Sequence, residues 1–255
     1  MTLFVDSHTH LDHCKEDAAE LVNQARAAGV EVIVQSGTDP SSSQEAVHLA
    51  ETFPEVYATV GYHPHDADAL ESQGWARVQE LARHPRVLAL GETGLDFYRD
   101  HSPRSEQADV FRLHLGLARE VGVPVVVHSR DAEEETFTIL EEEAQGLTIL
   151  FHCFSAPGRL EEIIAAGYFV SFAGNVTFNK AKDLQEAARR IPADRLLVET
   201  DAPYLAPEPF RGRPNTPAQV VETYRFLAHL RGVSVDDLAT KVEENITRVF
   251  PRLAS

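Results

Sequence analysis

Eight short runs of mostly Val, Ile and Leu, separated by longer stretches with helical periodicity, constrain this chain more than any other feature. The runs are Leu3–Asp6, Val30–Gln35, Val56–Val60, Val87–Leu90, Pro124–Val127, Thr148–Phe151, Tyr168–Phe172 and Arg195–Glu199. Each is only four to six residues long and apolar at consecutive rather than alternate positions. Such runs suit parallel strands buried on both faces, because a strand with one wet face would alternate. The intervening stretches read as helices: Asp17–Ala28, Ser41–Thr52, Gly74–Arg83, Ser105–Glu120, Glu133–Glu143, Gly158–Ala166, Ala181–Arg190 and Thr216–Leu230. Gly29, Gly122 and Gly167 mark helix ends, and Asp39-Pro40 marks a start.

Regular β-α alternation predicts a parallel sheet, and eight units close a (β/α)8 TIM barrel. The units consume nearly the whole chain, so the expectation is a single α/β domain over residues 1–255. A further helix over Val235–Phe250 would pack outside as an extra C-terminal helix. An open doubly wound sheet is the competing architecture, but no Gly-x-Gly-x-x-Gly follows the first run.

Polar residues with metal-binding side chains fall at the C-terminal ends of these runs. His8 and His10 follow the first, His63 the third, Glu92 the fourth, His128 the fifth and His152 the sixth, while Glu199 and Asp201 end the eighth. In a barrel those ends converge on one mouth, where active sites form. His8 and His10 are two apart on extended backbone and so point to the same side. Imidazoles with carboxylates suit zinc, manganese, magnesium or another divalent ion. The set is large enough for two divalent metal ions, with His8, His10 and Asp201 on one, His128 and His152 on the other, and Glu92 between them. Two ions about 3.5–4 Å apart activate water and stabilise both the attacking and the leaving oxygen of a phosphoryl displacement. Asp201 is the first candidate to orient that water and take its proton, and Glu199 the second. Cys153, beside His152, reads as a small buried residue. His13, His48, His84, His101, His114 and His229 read as surface or structural. No Ser-His-Asp or Cys-His arrangement competes.

The remaining composition limits the function classes. Hydrophobic residues make up 43% and charged residues 25%, which excludes a disordered chain. Cys14 and Cys153 are too few for a disulfide framework, and no apolar stretch approaches a membrane span. The N-terminus, Met1-Thr2-Leu3-Phe4-Val5-Asp6, reads as the first strand rather than a signal peptide, so the default location is cytoplasmic. A net charge of −17 repels polyanions at long range and argues against wrapping duplex DNA. Bound cations can reverse that field inside a cleft.

The blocks that carry these residues resemble one family. Asp6-Ser7-His8-Thr9-His10-Leu11-Asp12, Gly61-Tyr62-His63-Pro64-His65, Gly91-Glu92-Thr93-Gly94-Leu95-Asp96-Phe97-Tyr98, His128-Ser129-Arg130-Asp131-Ala132, Phe151-His152-Cys153-Phe154-Ser155 and Glu199-Thr200-Asp201-Ala202-Pro203-Tyr204-Leu205 are similar, in order, to the signature blocks of TatD-type deoxyribonucleases of the amidohydrolase-like superfamily. The resemblance implies metal-dependent hydrolysis of DNA phosphodiester bonds, typically as a 3′→5′ exonuclease, with a DNA repair or degradation role. It implies His8, His10, Glu92, His128, His152 and Asp201 as ligands. It also implies His63 beside the scissile phosphate and the Arg211-Gly212 segment near the nucleic acid. The chain departs from the family pattern at Thr216, where Glu is usual, and at Ala156, where Gly is usual.

Asp201, Glu92, His63 and Glu199 are therefore the candidate catalytic residues, and His63, Arg130 and Arg211 the candidate substrate contacts. Arg99, Arg104, Lys180 and Arg213 are the other basic residues near the mouth. Of the aromatic residues Tyr62, Phe97, Tyr98, Phe154, Phe178 and Tyr204, one or two are expected to stack on an unpaired base. The acidic composition favours single-stranded or frayed 3′ ends over broad duplex binding. No obligate protein partner is evident, and a monomer is expected. Two other readings compete. One is a superfamily hydrolase of a small ester, lactone or amide, although no Lys stands at the bridging position that Glu92 takes. The other is a non-catalytic metal-binding protein, which a carboxylate-rich site at the mouth disfavours.

Overall fold

The computed structural model describes residues 3–254. Met1-Thr2, which open the expected first strand, and Ser255, the end of the expected domain, lie outside the described residues. Strands β1 (Phe4–Thr9), β2 (Val30–Ser36), β3 (Val56–Val60), β4 (Val87–Asp96), β5 (Val125–Arg130), β6 (Ile149–Phe151), β7 (Phe169–Phe172) and β8 (Leu196–Val198) pair in chain order, all parallel. Helices α1 (Ala18–Ala27), α2 (Pro40–Thr52), α3 (Ser72–Leu81), α4 (Arg104–Val121), α5 (Glu133–Glu143), α6 (Leu160–Ala166), α7 (Lys182–Arg190) and α8 (Val220–Arg231) each follow the strand of the same number. Helix α9 (Val235–Val249) is the extra C-terminal helix. The eight strands curl into a nearly closed TIM barrel, as the alternation of runs predicts. Among the described residues no helix is long and apolar enough to cross a membrane.

Helix boundaries follow local chemistry. Asp17 caps α1 by accepting from Ala19 N (2.9 Å), and Asp39 caps α2 in a box with Ser42. Gly122, in the left-handed region at φ 72°, ends α4. Helix α8 begins four residues later than periodicity suggests, because Pro217–Gln219 first form a 3-10 turn.

The strands differ from the sequence reading in a way that bears on the site. β1 runs on to Thr9, β4 to Asp96 and β5 to Arg130, well past the ends of their apolar runs. Hence His8, Glu92 and His128 lie within strands, not after them. Periodicity stops where polar residues begin, but the ladder continues because these polar residues face the mouth and bond to one another. All ten residues of β4 are buried, Glu92 and Asp96 among them.

The seam between β8 and β1 is closed largely by side chains. Among the described residues, backbone bonds join it only at the mouth, where Asp201 N donates to His8 O (3.0 Å) and His10 N to Ala202 O (2.8 Å). Below, the buried Asp6 carboxylate accepts from Thr200 N (2.8 Å) and Thr200 Oγ1 (2.6 Å). The Tyr224 hydroxyl on α8 accepts from Val5 N (3.2 Å) and donates to Val5 O (3.1 Å). Asn245 on α9 donates to Leu196 O and Ala193 O (both 2.8 Å). These groups satisfy backbone that a neighbouring strand would otherwise pair, which is why α9 sits here.

His114 on α4 holds the segment after β3. Its Nδ1 donates to Val110 O (2.7 Å), so its Nε2 is left to accept from Tyr62 N (3.0 Å). The packing is close enough that a Cβ on Gly61 would stand 2.9 Å from that Nε2. Burial holds the imidazole neutral, with its pKa depressed from 6.5 to about 4. Between these values the unfolded chain binds the extra proton. The stability due to His114 is thus fully present above pH 6.5 and lost as pH falls toward 4. In urea unfolding of metal-free protein, wild type should lose about 2 kcal/mol more than His114→Gln between about pH 7 and pH 5. Equal losses in the two proteins would refute this role.

Candidate metal centre

Two glycines bring β4 against β5 and set the position of Glu92. Gly91 and Gly94 adopt φ of 135° and 137°, a region that strongly favours glycine. A Cβ on Gly91 would stand 2.5 Å from Val126 O, and one on Gly94 would collide with His128 O. Glu92 N is in turn fixed to Gly37 O (3.0 Å). At the far side of the barrel, Asp201 takes the left-handed conformation (φ 54°) directly after β8, beside β1.

The two oxygens of Glu92 divide the surrounding imidazoles. Its Oε2 lies 3.2 Å from His8 Nε2 and 3.4 Å from His10 Nε2. Its Oε1 lies 2.8 Å from His128 Nδ1, 2.8 Å from His152 Nε2 and 3.4 Å from His63 Nε2. Within each set the nitrogens also converge: His8 Nε2 and His10 Nε2 are 3.2 Å apart, as are His128 Nδ1 and His152 Nε2. Asp201 Oδ1 completes the first set, 3.5 Å from His10 Nε2. The structure thus gathers all six expected ligands in one cup, together with His63. The cup opens into a cavity of about 740 Å³.

Electrostatics in the cup favour positive charge among the carboxylates. Burial alone would raise Glu92, but the facing histidines, His152 and His63 foremost, hold it well below the usual carboxylate range. Burial likewise opposes ionisation of Asp201, yet the His10 hydrogen bond keeps its pKa low. Burial disfavours a charged His10, but hydrogen bonds to Asp201 and Glu92 push it up to about 10. His152 and His128 are raised against the same burial, mainly by Glu92 and by Asp96, respectively. Protons can serve only some of these converging lone pairs, whereas a divalent cation would serve a whole set at once. The donor set therefore fits metal, and its imidazole and carboxylate groups fit zinc, manganese or magnesium.

Carboxylates behind the imidazoles fix their orientation. Asp96 Oδ2 lies 3.1 Å from His128 Nε2 and 2.9 Å from His65 Nε2. Such partners set ring orientation and raise ligand basicity. Glu199 is fully buried behind His152, with Oε1 3.4 Å from its Nδ1. Its oxygens accept from Cys153 N (2.8 Å) and from Ser171 Oγ, and it does not line the cavity. Sequence reasoning missed Asp96 and His65 as site residues. For His65 the signal was present, as a second His in Tyr62-His63-Pro64-His65, whereas Asp96 lies beyond the apolar run Val87–Leu90 that marked the strand.

His63 is half-buried, and desolvation depresses its pKa to about 4. Its Nδ1 accepts from His65 N (3.1 Å), which leaves the proton on Nε2, facing the cup. Arg130 lines the cavity. Arg211 is exposed, stacks on Phe178 (4.2 Å), lies 4.0 Å from Glu208, and does not line it. Cys153, expected to be buried, is half-buried and lines the cavity, and so does His13, whose ring stacks on His10 (4.9 Å). His13 is exposed, as the sequence reading has it, whereas Cys153 departs from that reading, its backbone taking the left-handed conformation (φ 43°) just after β6.

Comparison with known proteins gives a consistent picture. The TatD related DNase family model matches residues 5–251. The chain is 38% identical over 252 residues to the uncharacterized metal-dependent hydrolase YabD of Bacillus subtilis, covering 97% of this chain and 99% of that protein. It is 36% identical over 243 residues to the 3'-5' ssDNA/RNA exonuclease TatD of Erwinia tasmaniensis, covering 92% and 94%. Among solved structures, the TatD homologue YjjV of Escherichia coli superposes with a TM-score of 0.91 at 29% identity, covering 97% and 98%.

Because Glu92 touches both imidazole sets, its loss should damage metal binding more than loss of any one histidine. Glu92→Gln is expected to weaken manganese or zinc binding by at least about 100-fold. Competition against a chromophoric chelator measures this, with circular dichroism as a check on the fold. Undiminished affinity would show that Glu92 is no ligand.

Proposed function

This chain belongs to the TatD related DNase family of metal-dependent hydrolases, and from that premise we propose that it hydrolyses phosphodiester bonds of single-stranded DNA ends. The observation that carries this reading is the division of five imidazoles between the two oxygens of Glu92. In this reading His8, His10 and Asp201 would hold one divalent ion and His128 and His152 another, with Glu92 facing both sets. Ions bound there would supply Lewis-acid activation of the phosphoryl group and of water.

The protein's own groups do the rest. Asp201 is the more accessible carboxylate of the cup, with its side chain 14% exposed against 4% for Glu92. It is held ionised, so it can orient a water and take its proton. Neutral His63 donates from Nε2 to a phosphate oxygen. Arg130 at the rim pairs with a phosphate, and Arg211, farther out, contacts the strand beyond the cup. Glu199, closed off from the cavity, acts by positioning His152 and the Cys153 backbone.

A 3′→5′ direction and a role in DNA repair or degradation are part of this proposal. It takes support from relatives named 3'-5' ssDNA/RNA exonuclease TatD. We further propose one barrel domain over the whole chain, working as a cytoplasmic monomer. The unpaired Cys14 and Cys153 accord with a reducing compartment.

Turnover of end-labelled oligonucleotides should vanish on chelation and return with manganese, magnesium or zinc. Asp201→Asn should lower kcat by roughly 10²–10⁴-fold. A reconstituted enzyme that leaves oligonucleotides intact but hydrolyses a lactone or ester panel would refute the nuclease reading.

A further inference from the structure

We infer that Tyr98, with Arg130 stacked on its ring, forms a platform that receives one unpaired nucleobase and its phosphate at the rim of the metal cup. This inference rests on the nuclease reading above and assigns the site that selects single-stranded substrate.

Among the described residues four large hydrophobic side chains are exposed: Tyr98 (58%), Tyr204 (51%), Val233 (44%) and Leu113 (43%). Only the tyrosines stand at the mouth, Tyr204 lining the cavity itself and Tyr98 stacking on an arginine that does. The other aromatic candidates are placed differently. Tyr62 and Phe154 are 2% exposed, Phe97 packs against Arg104 (4.2 Å) and Phe178 lies beneath Arg211 (4.2 Å). Tyr204 reaches toward His13, its hydroxyl 3.3 Å from His13 Nδ1. Tyr98 is thus the ring most open to a base.

Two cations stand beside Tyr98. Arg130 Cζ lies 3.9 Å from the ring centroid and Arg99 Cζ 5.7 Å, and both residues line the cavity. Among the described residues neither pairs with a carboxylate, whereas Arg104, Arg112 and Arg159 all do. A guanidinium held on an aromatic ring keeps its planar donor edge for a phosphate, while the ring keeps its surface for a base. A base inside a duplex has both faces covered by its neighbours, so this pairing favours an unstacked nucleotide.

Two further features tie the platform to the metal centre. Tyr98 N (3.0 Å) and Arg99 N (2.8 Å) both donate to Asp96 Oδ1, and the other oxygen of Asp96 bonds His128. One carboxylate therefore fixes the platform backbone and a candidate ligand in the same frame. A second cavity of about 810 Å³, which shares Ser155 with the first, is lined by Asp131, Glu133, Glu134 and Glu135 together with Arg159. Its excess of carboxylates disfavours a phosphate chain there and favours the Arg99–Arg130 side.

The test is binding of a short phosphorothioate-linked oligothymidylate to manganese-loaded protein, read by fluorescence anisotropy. Tyr98→Ala should weaken binding about tenfold, and Tyr98→Phe, which keeps the ring, should recover most of that loss. A single abasic residue, moved stepwise from the 3′ end, should give the same loss at one position, and Tyr98→Ala should show no added loss there. Arg130→Ala should reduce the slope of log affinity against log salt by roughly 0.7. Unchanged binding in Tyr98→Ala, an unchanged salt slope, or no abasic position coupled to it overturns the platform. Cleavage of the ordinary diester is followed in parallel. Coupled binding without cleavage would sink the nuclease reading alone, cleavage with an uncoupled Tyr98 the platform alone, and neither binding nor cleavage both.

Discussion

A buried carboxylate surrounded by imidazoles from opposite walls of the barrel is the constraint on which the rest of this structure depends. Glu92 is 3% exposed, and an ionised carboxylate that deep is very costly without partners. Its partners come from β1, β5 and the segments after β3 and β6, so the barrel must hold four stretches of chain in register around one side chain. Gly91 and Gly94 follow from this requirement, since any side chain there would push β4 away from β5. So does the length of β4, which must run beyond its apolar run to carry Glu92 and Asp96 to the mouth.

The place where the barrel closes is part of the same design. β1 and β8 share few backbone bonds, and Asp6, Tyr224 and Asn245 supply what the ladder omits. His8, His10 and Asp201 stand directly above this seam, while Glu92, His128 and His152 come from strands across the barrel. A cation held by both groups would link the open edge to the opposite wall. Such a ligand binds the native chain and not the unfolded one, and so adds to stability as well as to chemistry. Burial raises the Asp6 carboxyl well above its ordinary value, with Thr200 opposing that shift. The seam is therefore the part of the barrel that relies most on polar groups placed correctly.

The architecture was legible because burial on both faces leaves a plain mark: every predicted run became a strand, and every predicted helix formed. The convergence of these six side chains on one mouth was legible because imidazole and carboxylate recur at the ends of successive strands. What periodicity could not give were the polar parts of β1, β4 and β5, whose burial is offset by partners far away in the chain. Asp6 and Thr200 are 194 residues apart, and Asp96 meets His65 across 31. Glu199 shows the converse limit. Its position two residues from Asp201 suggested the cup, but the left-handed backbone at Asp201 (φ 54°) breaks the alternation that would put both side chains on one side, and Glu199 stands behind His152.

Acidity and the proposed nucleic-acid binding are reconciled by where the charges lie rather than by their sum. Most of the excess negative charge is on helices, as in Glu133, Glu134 and Glu135 of α5, where water and salt screen it beyond about 10 Å. The rim instead presents Arg99 and Arg130 without acid partners, close to carboxylates that call for cations. A long duplex would feel the helices; a strand end entering the cup would meet chiefly the rim and any cation bound there. The same distribution therefore disfavours broad binding and favours a short one. It also explains why the aromatic surface at Tyr98 matters: stacking is less sensitive to salt than phosphate pairing, so affinity need not rest on a long basic track that this chain lacks.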